Sequence, residues 1–340
     1  MFEQYSEVVA VGVGSAGSRI VSLLSRQSLL IDRFVCVSCD RADLENSPGE
    51  KILVESPVDQ KLSPSMVRGL AESSPERIKA SLAGAKVVFI VAGLGGATGS
   101  GLAPLLASLA QESGAITVGV AVMPFEYEKK LRFYAGVSLR RLREAARGVI
   151  VVDNDTLMQS SSENSTLTGL YDSANIAAGK ALGALLSRPS ELSVPAGLNK
   201  VLGAVLQDGY SLLGISSSGS SDKAEQALAG AVVSIARLAE AKEASRAVVI
   251  LKGDGSLSGT EVGLAVRRLG SMINNESVDI EYGVSYSGTS QLQVSLLASG
   301  FRSTKYDDYD PIRKVLGDRS IDDETDSFLP VGLELLQPCD

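Results

Sequence analysis

Val91-Ala92-Gly93-Leu94-Gly95-Gly96-Ala97-Thr98-Gly99-Ser100-Gly101-Leu102-Ala103-Pro104 decides how the chain is read. It follows an apolar run from Ala85 to Val91, the pattern of a strand buried on both faces of a parallel sheet. Five glycines fall within the nine residues from Gly93 to Gly101, and a helix then opens at Leu102 with Pro104 in its first turn. A strand, a glycine bend and a helix start predict an anion cradle. The first amides of a helix are unpaired and carry partial positive charge, and glycines let them approach a phosphate closely. Thr98 and Ser100 add hydroxyls for phosphate oxygens or for a magnesium ion held through them. No Lys follows the glycines, which excludes the Gly-x-x-x-x-Gly-Lys-Ser/Thr loop. The competing reading is a turn that serves only tight packing of strand on helix.

Working back towards the start, Glu7 to Gly12 reads as a short strand, and Gly12-Val13-Gly14-Ser15-Ala16-Gly17-Ser18-Arg19 opens a second helix. This Gly-x-Gly-x-x-Gly suggests a dinucleotide fold, and Asp40, after the strand Phe34 to Cys39, falls about where such a fold places its ribose carboxylate. A nicotinamide-dependent oxidoreductase is therefore one reading, although it leaves the second and richer glycine loop unused. Asp43 to Ser65 reads as a surface loop, and Met66 to Leu82 as an amphipathic helix.

The loop Gly93-Leu-Gly-Gly-Ala97-Thr-Gly-Ser-Gly101 resembles the Gly-Gly-Gly-Thr-Gly-Ser/Thr-Gly signature of the tubulin/FtsZ superfamily, with Ala97 at the third glycine. Other stretches follow in the family's order. Pro124-Phe125-Glu126-Tyr127-Glu128-Lys129-Lys130-Leu131-Arg132 is similar to Pro-Phe-x-Phe-Glu-Gly-x-x-Arg, and Asp153-Asn154-Asp155 to Pro-Asn-Asp/Glu. Tyr171 and Asn175 match the Tyr-x-x-x-Asn at the start of the family's central helix, and Ala298-Ser-Gly-Phe301 is similar to Ala-Thr-Gly-Phe. The resemblance spans roughly residues 7–301. It implies GTP or GDP as ligand, with Mg2+ held through the phosphates and not by direct side-chain ligation. Gly12, Gly14, Ser15, Ala16, Gly17, Arg19 and Asp40 would serve the first loop, and Gly93, Gly95, Gly96, Ala97, Thr98, Gly99 and Ser100 the second. Glu128 would take the ribose, Arg132 would sit near the nucleotide, and Asn154 would meet the guanine or ribose edge. The residues themselves support the base site: Tyr171 and Asn175 lie four apart on one helical face, a ring to stack on a purine and an amide to pair with its edge.

The family keeps catalytic acids after its central helix, in Asn-x-Asp-x-x-Asp, which enter the neighbouring subunit's site. Here Ser193, Pro195 and Leu198 occupy that motif, followed by Asn199 and Lys200. Asn199 and Asp208 are the nearest substitutes, and neither convincingly replaces an acid. Slow or absent hydrolysis follows as an expectation.

Composition narrows the alternatives. At 340 residues and 44% hydrophobic, the chain is long enough for two domains with cores of their own. A net charge of −8 argues against a nucleic-acid binder. Cys36, Cys39 and Cys339 make no disulfide framework, and Cys36 and Cys39 read as core. There is no His, so any catalysis rests on carboxylates, hydroxyls, amides or bound metal. No signal-peptide pattern and no long apolar run are found, so a cytoplasmic protein without membrane insertion is expected.

The expected architecture is α/β: a Rossmann-like GTPase domain with a mostly parallel sheet over residues 1–168, a central helix over 169–189, and an α+β domain around a mostly antiparallel sheet over 190–301. Residues 302–340 hold ten acidic and five basic residues and read as a disordered acidic tail, with an apolar end motif, Ser327 to Leu336, suited to an adaptor. The expected function is an FtsZ/tubulin-like protein that assembles head-to-tail into filaments in cell division or shape control, with slow hydrolysis. A GTP-binding regulator of another filament that does not turn over is the alternative within the family.

Overall fold

Runs such as Val8–Val13, Val87–Gly93 and Gly148–Asp153 have no polar face, and only the middle layer of an α/β/α stack satisfies them. The computed structural model places them there; it describes residues 7–56, 61–157, 166–194, 196–219, 222–254, 257–286 and 291–309. The strands are β1 (Val8–Val13), β2 (Arg33–Ser38), β3 (Glu50–Leu53), β4 (Val87–Gly93), β5 (Ile116–Met123), β6 (Gly148–Asp153), β7 (Tyr210–Ser218), β8 (Arg246–Gly253), β9 (Asp279–Tyr286) and β10 (Leu292–Phe301). The helices are α1 (Gly14–Leu24), α2 (Arg41–Glu45), α3 (Pro64–Glu72), α4 (Glu76–Leu82), α5 (Ala97–Glu112), α6 (Lys129–Ala145), α7 (Asn154–Leu157), α8 (Leu167–Leu185), α9 (Leu198–Val205), α10 (Lys223–Ala236) and α11 (Gly259–Met272).

The mostly parallel α/β architecture is as expected. All strands join one sheet in the order β3-β2-β1-β4-β5-β6-β7-β10-β8-β9. Pairing is parallel from β3 to β7, antiparallel on both sides of β10, and parallel again between β8 and β9. The strand order reverses between β1 and β4. An open α/β sheet has its ligand crevice at the carboxyl ends of the strands flanking such a reversal. Alternation along β1 divides the core: Val9, Val11 and Val13 face the side carrying α3 to α6, and Val8 and Ala10 face α1 and α8. The central helix α8 lies against α1, where an added Cβ on Gly179 would stand 3.0 Å from Leu23.

Four expectations are corrected. The second half is not a sheet of its own, because β7 pairs with β6 through Ile150 with Ser211 and Val151 with Leu212. Residues 43–65 are not wholly irregular, since β3 adds an edge strand beside β2. The helix over 66–82 is two helices, separated where Pro75 and its preceding serines interrupt the backbone bonding. The tail begins later than residue 302: a 3-10 turn, Lys305–Tyr309, packs on α6 with Tyr306 fully buried. Pro195, residues 158–165 and the apolar end motif lie outside the described residues.

Candidate functional site

At the reversal point, β1 turns into α1 and β4 into α5, and each turn requires glycine for a different reason. Gly14 takes φ +65° and Gly95 φ +101°, conformations that disfavour side chains. Gly12 and Gly17 allow close packing: a Cβ on Gly12 would lie 2.7 Å from Gly17 O, and one on Gly17 would run into Val91 O. A Cβ on Gly99 would run into Gly93 O. Packing therefore explains Gly12, Gly17 and Gly99, but not Gly96, around which an added Cβ meets nothing within 4 Å.

Gly96 is the N-cap of α5, with φ −81° and ψ 158°, and Val13 is that of α1. Neither cap makes a side-chain hydrogen bond, and neither helix has an acidic residue in its first turn. By contrast Asp40, Ser63, Thr166 and Ser258 cap their helices through side chains. Two uncapped starts face one crevice. Its volume is about 520 Å³, a size suited to a nucleotide. The two loops are neighbours, since a Cβ on Gly14 would stand 3.3 Å from Thr98 Cβ.

Of the residues singled out by sequence, Gly14, Ser15, Ala16, Asp40, Gly93, Gly96, Ala97, Thr98, Gly99, Glu128, Asn154, Tyr171 and Asn175 line this cleft. Asp40 also caps α2, accepting from Ala42 N at 2.9 Å. Glu128 Oε2 accepts from Phe125 N at 2.9 Å and Oε1 accepts from the Tyr171 hydroxyl. The Tyr171 ring meets Phe125 edge-on, with centroids 5.3 Å apart. Burial and the adjacent Glu128 carboxylate hold the Tyr171 phenol far above its ordinary pKa, so it stays a donor. Asn154 is 7% exposed, and its Oδ1 is buried with no hydrogen-bond partner among the described residues. Leaving such an atom unsatisfied costs about 1–3 kcal/mol, and a donor on a bound ligand would remove that cost.

Several singled-out residues do not line the cleft. Ser100 Oγ is buried and accepts from Gly95 N at 2.8 Å, so it shapes the loop. Gly12, Gly17 and Gly95 act through packing and backbone shape. Arg19 pairs with Asp172 at 2.6 Å on the surface between α1 and α8, with both side chains half exposed. Arg132 is buried away from the cleft: it donates to Asp155 Oδ2 at 2.5 Å, to Phe125 O at 3.1 Å and to the Tyr309 hydroxyl at 3.3 Å. It anchors the loop that carries Glu128. Asp43, Leu94 and Leu131 line the cleft without having been singled out; the alternation of apolar and charged residues around them gave no signal of a shared wall.

The stretch at the catalytic motif of the family is also placed. Leu198 is buried in the core under the sheet, and Ser193 N donates to Val284 O at 2.7 Å. Asn199 is exposed, and Lys200 Nζ binds Glu281 Oε2 at 2.5 Å. Asp208 is exposed beyond the far end of α9, ahead of β7.

The Glu128–Tyr171 contact supports a first prediction. Tyr171→Phe should keep the Phe125 packing, leave Glu128 one donor short, and weaken nucleotide binding by roughly 1 kcal/mol, about fivefold, in a direct titration.

Comparison with known proteins finds similar sequences and folds. A family model described as Tubulin/FtsZ family, GTPase domain, matches residues 7–162. The chain is 28% identical over 336 residues to cell division protein FtsZ of Rickettsia bellii, which covers 95% of this chain and 72% of that one. It is 30% identical over 229 residues to FtsZ of Buchnera aphidicola from Acyrthosiphon pisum, spanning 65% of this chain and 59% of the relative. Among solved structures, a point mutant of FtsZ from M. jannaschii matches with a TM-score of 0.77 at 26% identity, over 88% of this chain and 92% of that chain. A GTPγS-bound protofilament of CetZ2 from Haloferax volcanii matches with a TM-score of 0.70 at 26% identity, over 88% and 95%.

Proposed function

The chain belongs to the tubulin/FtsZ superfamily, and from that premise we propose that it binds GTP and GDP in the cleft between α1 and α5 and assembles head-to-tail into filaments with slow turnover. The observation that carries the reading is a division of labour along one cleft. Two uncapped helix starts line it, suited to phosphates. Tyr171, Asn175 and Asn154, whose Oδ1 is unsatisfied, line the same cleft and are suited to base and ribose. Mg2+ would be held through the phosphates, near Thr98. The relatives named for cell division and the GTPγS-bound protofilament support assembly of this kind, and a head-to-tail interface, being heterologous, propagates instead of closing. The C-terminal segment beyond Tyr309 is proposed to take an adaptor. Among the described residues no helix is long and apolar enough to cross a membrane, and a cytoplasmic location is part of the proposal.

The reading in which nucleotide is bound but not turned over is favoured by one specific feature: no carboxylate stands at residues 192–200, and Lys200 is already paired with Glu281. The oxidoreductase reading leaves the second glycine loop without a role.

Thermal melts with GTP, ATP and NAD test the proposal, since a ligand bound only by the folded chain raises the melting point by mass action. GTP is expected to bind at least about tenfold tighter than ATP, and Asn175→Ala to remove most of that preference, because an unpaired base edge costs about 1–3 kcal/mol. Equal stabilisation by ATP would remove the guanine assignment.

A further inference from the structure

The turn Lys305–Tyr309 is far in sequence from the residues that line the cleft and ends against Arg132, which holds the loop carrying Glu128. After β10 the chain runs back along α6, where Gly136 makes room: a Cβ there would lie 2.9 Å from Tyr306 O and 3.2 Å from Tyr309 Cβ. Its start is fixed, with Lys305 N donating to Leu238 O at 2.8 Å and Thr304 N to Asp307 Oδ2 at 2.6 Å. From that base it offers two donors to the last residue of β6. Tyr306 Oη donates to Asp153 Oδ1 at 2.7 Å and Lys305 Nζ to Asp153 Oδ2 at 2.6 Å. Asp153 and Tyr306 are both fully buried. Burial and the Asp153 carboxylate keep the Tyr306 phenol protonated, hence a donor.

Asp153 precedes Asn154, the cleft residue with the unsatisfied Oδ1, and it also accepts from Asp155 N at 3.3 Å. The geometry is a competition for one carboxylate. Side-chain donors from the turn hold Asp153 down; without them a buried carboxylate must draw harder on the amides that start α7, and Asn154 is the first residue of α7. The same turn also reaches the loop that carries Glu128, since the Tyr309 hydroxyl accepts from Arg132, which grips Phe125 O and Asp155. The Arg132 guanidinium lies 5.6 Å from the Tyr306 ring centre and 5.7 Å from that of Tyr309.

We infer that Lys305 and Tyr306 are positioning residues for the nucleotide: they hold Asp153, and through it the Asn154 amide, so that nucleotide binding and docking of the Lys305–Tyr309 turn are coupled. The inference rests on the nucleotide reading of the cleft. Coupling is reciprocal, so each event strengthens the other by the same factor.

The test uses the full chain and two measurements. Tyr306→Phe removes the donor and keeps the ring; its GTP affinity is expected to fall about tenfold, the scale of one hydrogen bond to a charged group. In the unaltered protein, saturating GTP is expected to slow amide hydrogen exchange over residues 304–309, and in Tyr306→Phe that slowing is expected to be lost. A purely structural role would lower the melting point of the ligand-free variant and leave its affinity unchanged. Unchanged affinity in Tyr306→Phe, or exchange at the turn that ignores GTP in the unaltered protein, overturns the inference. If Tyr306→Phe does not fold, Lys305→Met, which removes the other donor to Asp153, replaces it in both measurements with the same expected results. An unaltered protein that fails to bind GTP overturns the nucleotide reading as well, whereas one that binds GTP while the turn stays indifferent removes this inference only.

Discussion

Gly96→Asp is expected to make the ligand-free protein more stable by roughly 0.5–1 kcal/mol while weakening GTP binding about 100-fold. The two effects have one origin. Gly96 already has the extended backbone of an N-cap, with φ −81° and ψ 158°, and nothing crowds the space its side chain would fill. A carboxylate there would accept from the first amides of α5 and complement the positive end of the helix. Those are the amides the phosphates are proposed to use. A second negative charge about 4–5 Å from a phosphate, at an intermediate effective dielectric, costs roughly 2–3 kcal/mol, hence the 100-fold. Gly96→Ser is the control, capping without charge. Melting of the ligand-free variants and titration with GTP report the two halves separately. If Gly96→Asp gains stability and still binds GTP as the unaltered protein does, the phosphates do not sit at α5.

Release of phosphate from GTP is expected to be slow, and to stay slow as protein concentration rises in the presence of magnesium. The resemblance points to acids donated by a neighbouring subunit from the stretch after the central helix, and positioned acid-base groups of that kind contribute typically ~10²–10⁴-fold. Here Leu198 is turned into the core, Ser193 is tied to β9, and Lys200 neutralises Glu281. Asp208 lies beyond the opposite end of α9, about 12 Å along a helix of eight residues. Asn199 is exposed and can orient a water but cannot take its proton. Fast release that grows with protein concentration would mean that another group has assumed the role and would sink this account.

Much of the cleft was legible because its signals are local. Gly14 and Gly95 sit in turns that side chains disfavour, and runs such as Val87–Gly93 have the unbroken apolarity of a strand covered on both sides. Tyr171 and Asn175, one helical turn apart, do line one wall. What sequence missed depends on partners distant in the chain. Strand β7 carries a glycine and three closing serines, and its place is set by pairing with β6 and β10. Arg132 matches a nucleotide-proximal motif, yet its guanidinium is satisfied by Asp155, 23 residues on, and by Tyr309, 177 residues on. Lys305-Tyr-Asp-Asp-Tyr309 reads as a solvated acidic segment because charge dominates its composition. Its fate is decided by one ring and one ammonium that reach Asp153.

The pairing of β6 with β7 bears on how the chain is made. Residues up to Asp153 supply every strand on one side of that seam, so this half is complete while the ribosome has yet to deliver Tyr210. During that interval the outer edge of β6, Gly148-Val-Ile-Val-Val-Asp153, stands open. It is short, strongly β-forming and almost without charge, the composition that recruits other chains edge to edge. A nascent or truncated product ending in α8 would therefore be prone to aggregate, and arrival of β7 converts that hazard into the join between the two halves of the sheet.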